Sequence, residues 1–103
     1  MAEFVFAYTG GSMAQTQEER DKAMAAWGAW FGELGGAIVN PGNPFGASAT
    51  VGNGSSGNGG SSGLTGFSVV SADSLDAASA LAKGCPVISN GGAVEVYEAL
   101  QVM

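Results

Sequence analysis

The residue pattern predicts an α+β domain in which two helices cover one face of a four-stranded antiparallel sheet. Three observations lead there. Short apolar runs at 3–8, 37–40, 66–71 and 93–97 have strand character. Two runs with helix start and stop signals, 16–34 and 74–83, fall between the first and second and between the third and fourth strands. The chain of 103 residues has the length of one domain, so a single β-α-β-β-α-β unit accounts for 1–103.

In Glu3-Phe4-Val5-Phe6-Ala7-Tyr8, alternation sends Phe4, Phe6 and Tyr8 to one face and Val5 and Ala7 to the other. Both faces are apolar, which marks a central strand. Thr16 followed three residues later by Glu19 forms a capping box at the start of the first helix. Glu18 and Lys22, one turn apart, add a weak ion pair. Met24, Trp27, Phe31 and Leu34 form its apolar stripe, flanked by Ala23 and Trp30, and Gly35-Gly36 supplies a left-handed stop. Its other side holds Ala25, Gly28, Ala29 and Gly32. Helix-interior glycine costs about 1 kcal/mol relative to alanine, so this side reads either as an approach surface for another backbone or as a tolerant exposed face.

Ala37-Ile38-Val39-Asn40 is the second strand, closed by Pro41-Gly42-Asn43-Pro44. Residues 45–51 have extended character. Residues 52–63 contain only Gly, Ser and Asn and are expected to be a flexible loop inside the domain. Residues 66–71 form the third strand. Asp73 or Ser74 caps a second helix, Leu75 to Lys83, with Leu75, Ala78, Leu81 and Ala82 facing inward and Gly84 and Pro86 stopping it. Ala93 to Tyr97 is the last strand. This order is that of a ferredoxin-like domain, whose helices leave the second sheet face uncovered. An uncovered apolar face calls for a partner, and a two-fold homodimer is the economical one.

Composition narrows the function classes. Nine acids against three bases give a formal charge of −6. The bases, Arg20, Lys22 and Lys83, are too few and too scattered for a phosphate-binding patch, so neither nucleic acid nor an anionic membrane surface is an expected partner. The single cysteine, Cys85, allows no internal disulfide. Met1-Ala2-Glu3-Phe4 lacks the pattern of a signal peptide, and no apolar run approaches a membrane span, so a cytoplasmic location is expected. Histidine is absent, which removes the usual acid–base group near neutral pH and the commonest nitrogen ligand. No metal site and no cofactor are expected.

Ser71-Ala72-Asp73-Ser74-Leu75-Asp76-Ala77-Ala78, then Leu81-Ala82-Lys83-Gly84-Cys85-Pro86-Val87 and Gly91 to Val96, resemble the C-terminal half of YCII-related domains, the DGPF-type branch in particular. Met24 to Phe31 and Asn43-Pro44-Phe45-Gly46 resemble that branch as well, so the likeness covers most of the chain. It implies a dimeric α+β barrel, two ferredoxin-like sheets face to face. In that family a few relatives act on small aromatic or halogenated compounds, and a His–Asp pair has been proposed as the site. This chain has no histidine to carry that role, and the run ending in Gly63-Leu64-Thr65-Gly66 stands where an Asp-Gly-Pro-Phe motif is expected.

Gly52, Gly54 and Gly57 fit a dinucleotide fingerprint with Asp73 downstream, but no helix follows them, and a loop is the better reading. Cys85 at a helix C-terminus, without histidine, reads as a structural thiol. The candidate catalytic residues are Tyr8 and Asp73. The candidate ligand-binding residues are Tyr8, Asn40, Asn43, Ser68 and Asn90. Tyrosine can act as an acid or an orienting donor, and Tyr8 or Tyr97 would reach a dimer cavity, though both also suit amphipathic core positions. The asparagines flank strand ends and equally suit turn chemistry. Trp27, Trp30 and Phe31 either stack on an aromatic ligand or belong to the core. The expected function is a dimer that binds a small, largely apolar or aromatic molecule at the sheet interface. The alternatives are a cofactor-independent enzyme on a small organic substrate and a purely structural dimer.

Overall fold

The computed structural model describes residues 2–10, 16–52, 55–58 and 63–100. The elements follow in the order β1 (Ala2–Thr9), α1 (Gln17–Leu34), a 3-10 turn (Gly35–Ala37), β2 (Ile38–Asn40), β3 (Ala49–Gly52), β4 (Ser55–Asn58), β5 (Leu64–Ala72), α2 (Leu75–Ala82), α3 (Pro86–Ser89) and β6 (Ala93–Ala99). The main sheet has the order β2-β5-β1-β6, with antiparallel pairing throughout. It is the ferredoxin-like arrangement expected, with β1 central.

Register sorts the two sheet faces. Phe4 sits opposite Val70, Phe6 opposite Ser68 and Val96, and Tyr8 opposite Gly66 and Val94. These residues meet Trp30 and Leu34 of α1 and Ala78 and Ala82 of α2, and together they form the core. Val5 lies opposite Val69 and Tyr97, and Ala7 opposite Phe67 and Glu95, on the face that no helix among the described residues covers.

Local signals explain the helices, with corrections. The Thr16 hydroxyl accepts from Glu19 N at 3.0 Å, and Gly35 ends α1 at φ +51°. The Glu18–Lys22 pair forms at 3.6 Å on the surface. The apolar stripe is rotated from its expected centre. Trp30 is 3% exposed and central, whereas Met24 is 74% exposed. Trp30 wins because it stacks on Phe6 at 6.0 Å and donates its indole N–H to the Leu81 carbonyl at 3.2 Å, which ties α1 to α2. Gly28 and Gly32 meet nothing within 4 Å, so within the chain their side is an exposed face.

Ser74, not Asp73, caps α2 through Ala77 N at 3.1 Å. Leu75, expected to face inward, is exposed in the first turn, and Ala78 and Ala82 fill the contact with the sheet. Pro86 stops α2 but opens α3, since a proline at the first helical position gives up only an N–H that would have been unpaired. The expected loop at 52–63 is corrected in its described part, where Ser55–Asn58 pairs antiparallel with Ala49–Gly52. Backbone ladders need no apolar side chain. Residues 53, 54 and 59–62 of that expected loop lie outside the described residues.

Candidate functional site

The site grows from the turn Asn40-Pro41-Gly42-Asn43-Pro44. The Asn40 side chain accepts from Gly42 N at 2.8 Å, an Asx turn that folds the chain back toward β5. Gly42 has φ +75°, and a Cβ there would overlap the Phe67 carbonyl, so only glycine allows the turn to lie this close to β5. Phe67 N donates to the Asn43 carbonyl at 3.3 Å and Phe45 N to the Thr65 carbonyl at 2.9 Å, which fasten the turn to the strand. Gly66 permits this approach, since a Cβ there would stand 3.2 Å from the Asn43 carbonyl oxygen.

The pinned turn aims the Pro41 carbonyl at Ser68. The Ser68 hydroxyl, fully buried, donates to Pro41 O at 2.6 Å, and the Tyr8 hydroxyl donates to Ser68 Oγ at 2.7 Å. The direction of this relay is set by chemistry. A carbonyl has no proton, and two oxygens 2.6 Å apart need one between them, so Ser68 must donate to Pro41. Its only proton is then spent, so Tyr8 must donate to Ser68. Burial, partly offset by the Ser68 hydrogen bond, holds the Tyr8 phenol well above its ordinary pKa. The hydroxyl therefore stays protonated, with its proton committed.

Above the relay lies a cavity of about 450 Å³ between α1, the 41–44 turn and the end of β5. Trp27 and Phe31 form its aromatic wall, with ring centroids 5.8 Å apart, and Trp27 meets the Tyr8 ring edge-on at 5.0 Å. Exposed Met24 stands at the mouth. No Asp, Glu, Lys or Arg lines this cavity among the described residues.

The structure brings together Tyr8, Asn43 and Ser68, all on the cavity wall. Tyr8 faces the helices rather than the open sheet face, so the cavity it serves lies on the helix side. Asn40 stands behind this wall, with its side chain engaged in the turn. Asn90 ends α3 and borders a broader, more open hollow of about 1070 Å³ along α1 and α3. Asp73 is exposed in the turn before α2 and lines neither space. Tyr97 lies on the open sheet face, where its hydroxyl donates to the Glu95 carboxylate at 3.2 Å, and that carboxylate raises its pKa. Pro41 and Gly42 help build this candidate site and are not singled out by the residue pattern, although the density of turn formers at 40–44 points at them.

Cys85 precedes the short helix α3 rather than closing α2, and burial pushes its thiol up to about 11 despite a backbone hydrogen bond from Val87. It is therefore a protonated, buried thiol at neutral pH. Among the described residues, no three Cys, Asp or Glu side chains gather closely enough to hold a metal ion.

The sequence profile of the YCII-related domain matches residues 4–102. The chain belongs to the YCII-related family. A search of curated protein sequences finds no match. Among solved structures, this YCII domain is similar to 5-chloro-2-hydroxyhydroquinone dehydrochlorinase from Burkholderia phenoliruptrix, determined in complex with 2,5-dihydroxybenzoquinone. The two share 20% identity and a TM-score of 0.55 over 98% of this chain and 95% of that one, a likeness of fold. No helix among the described residues of the YCII domain is long and apolar enough to cross a membrane.

Proposed function

We propose that this YCII domain binds a small, largely apolar or aromatic molecule in the helix-side cavity, as a homodimer joined through the open sheet face. The observation that carries the binding role is the cavity itself. Its 450 Å³ suits a small organic molecule, its walls are mostly apolar and uncharged, and Tyr8, Ser68 and Asn43 are among the residues that line it. A fold neighbour that holds a hydroxylated quinone supports the same reading. Thermal unfolding against a library of small aromatic compounds tests it, since a ligand that binds only the folded state raises Tm. A library without a single stabilising compound overturns the binding role and leaves a purely structural dimer.

The homodimer is argued from register. Val5, Ala7, Phe67 and Val69 adjoin on the uncovered face, and Phe45 stacks on Phe67 at 5.8 Å, beside them. A second copy presents the same apolar patch and satisfies both at once. Sedimentation at micromolar concentration is expected to show a dimer, and a monomer there overturns it.

The neighbour's dehydrochlorinase activity favours a second reading, a cofactor-independent enzyme acting on a small organic substrate in the same cavity. Tyr8 then serves as a fixed polar group rather than a base, because its phenol is held protonated. Asp73 lies outside the cavity, so Asp73→Asn is expected to leave any turnover unchanged, whereas Tyr8→Phe is expected to lower it.

A further inference from the structure

The hydrogen-bond relay under the cavity has one direction, and a ligand meets the consequence. We infer that the helix-side cavity selects neutral ring compounds that carry a hydrogen-bond donor, such as a phenolic hydroxyl, over compounds of the same shape that only accept and over carboxylates. This inference rests on the binding role proposed above and names the class of ligand.

The relay runs Tyr8 to Ser68 to Pro41 O, over 2.7 Å and 2.6 Å. Its terminus is a carbonyl that can only accept, so no proton in the chain can be turned toward a ligand without leaving two oxygens unshielded at contact distance. The Tyr8 oxygen has acceptor capacity left and no donor capacity. A hydroxyl or N–H on the ligand completes it, whereas a carbonyl or ether oxygen placed there faces lone pairs. The Pro41 end cannot swing away, because Gly42 lies against the Phe67 carbonyl and Asn40 holds the turn. The Thr65 hydroxyl, also on the wall, is committed in the same sense, since it donates to the Tyr8 carbonyl at 3.2 Å. Asn43, also on the wall, has its backbone carbonyl engaged by Phe67 N at 3.3 Å. No cation lines the cavity, so an anionic carboxylate loses its hydration there without a counter-charge.

Isothermal titration calorimetry near neutral pH with 4-chlorophenol, 4-chloroanisole and 4-chlorobenzoate tests this directly. In the second a methyl group replaces the donor hydrogen of the first, and the third carries a charge. One hydrogen bond corresponds to about tenfold in affinity, so 4-chlorophenol is expected to bind about tenfold more tightly than 4-chloroanisole, with 4-chlorobenzoate weakest. Tyr8→Phe is expected to abolish the preference for the phenol. Ser68→Ala frees the Tyr8 proton and is expected to shift the preference toward 4-chloroanisole. Equal affinity of the wild-type domain for the phenol and the ether overturns donor selection while the ring-binding site stands. Failure of all three compounds to bind or to raise Tm overturns the binding role and this inference with it. Selectivity unchanged in both variants places the discrimination elsewhere and overturns the assignment to the relay.

Discussion

The two faces of the sheet are built from neighbouring residues of the same strands and have different fates. Phe6 and Ser68 are opposite each other on the helix side, both fully buried, beneath Trp30 and beside the cavity. One residue along, Val5 and Val69 oppose each other on the face turned away from the helices, and both are half-buried. The helix side combines apolar packing with a single oriented polar chain. The open side is apolar at its centre and carries its polar groups, Glu3, Glu95 and the Tyr97 hydroxyl, toward its margins. Burial within the chain thus serves folding and the cavity, while the outward face is the one through which the homodimer is proposed.

The largest expected contrast comes from adjacent alanine substitutions. Phe6→Ala removes a fully buried ring against Trp30 and is expected to cost about 3–5 kcal/mol in chemical denaturation. Val5→Ala is expected to cost about 1 kcal/mol, whereas Val5→Glu is expected to keep the fold and abolish the dimer in sedimentation. Similar losses for the two alanine variants would erase the distinction between the faces.

Gly42→Ala attacks the turn that the helix side depends on. A positive φ and an overlap with the Phe67 carbonyl together predict a loss of about 2–4 kcal/mol, with weaker ligand binding, by denaturation and calorimetry. Ser68→Ala strands the Tyr8 hydroxyl and the Pro41 carbonyl and is expected to cost about 2 kcal/mol. Stability within a few tenths of wild type would show that the relay contributes little to folding.

Cys85 sharpens the contrast through pH. Its thiol rises from 9.0 to about 11 because burial disfavours the thiolate. The folded state therefore holds this proton more tightly than the unfolded state. The stabilisation is complete below pH 9 and fades as pH rises through about 11. Denaturation midpoints should fall over that window, less steeply in Cys85→Ser, and a thiol reagent should react with the native protein far more slowly than with the unfolded chain. The smallest effect is expected on the outer face of α1. Lys22→Gln removes an exposed ion pair and is expected to change stability by about 0.3 kcal/mol.

Legibility followed the range of the interactions. The Thr16 cap, the glycine stop at Gly35 and the sidedness of Phe4, Phe6 and Tyr8 in β1 depend on neighbours a few residues apart, and each stands as expected, as does the four-stranded antiparallel sheet. The centre of the α1 stripe is not set locally, because whether Met24 or Trp30 is buried depends on what α2 offers. Asn40, Asn43 and Asn90 looked equivalent as strand-end asparagines. Contacts between distant segments separate them into a turn former, a cavity wall and a residue at the end of α3 beside a broader hollow.

The amino-acid sequence by itself determined the α+β order, the sidedness of each strand and the absence of histidine chemistry. Local hydrogen bonding, side-chain alternation and composition act without reference to the rest of the chain. Only the tertiary structure decided where the cavity lies and which way its hydrogen bonds point. Tyr8, Pro41 and Ser68 are far apart in sequence, and their meeting depends on a glycine turn closing against a strand that forms later in the chain. The direction of the relay follows from two short distances that no residue pattern contains.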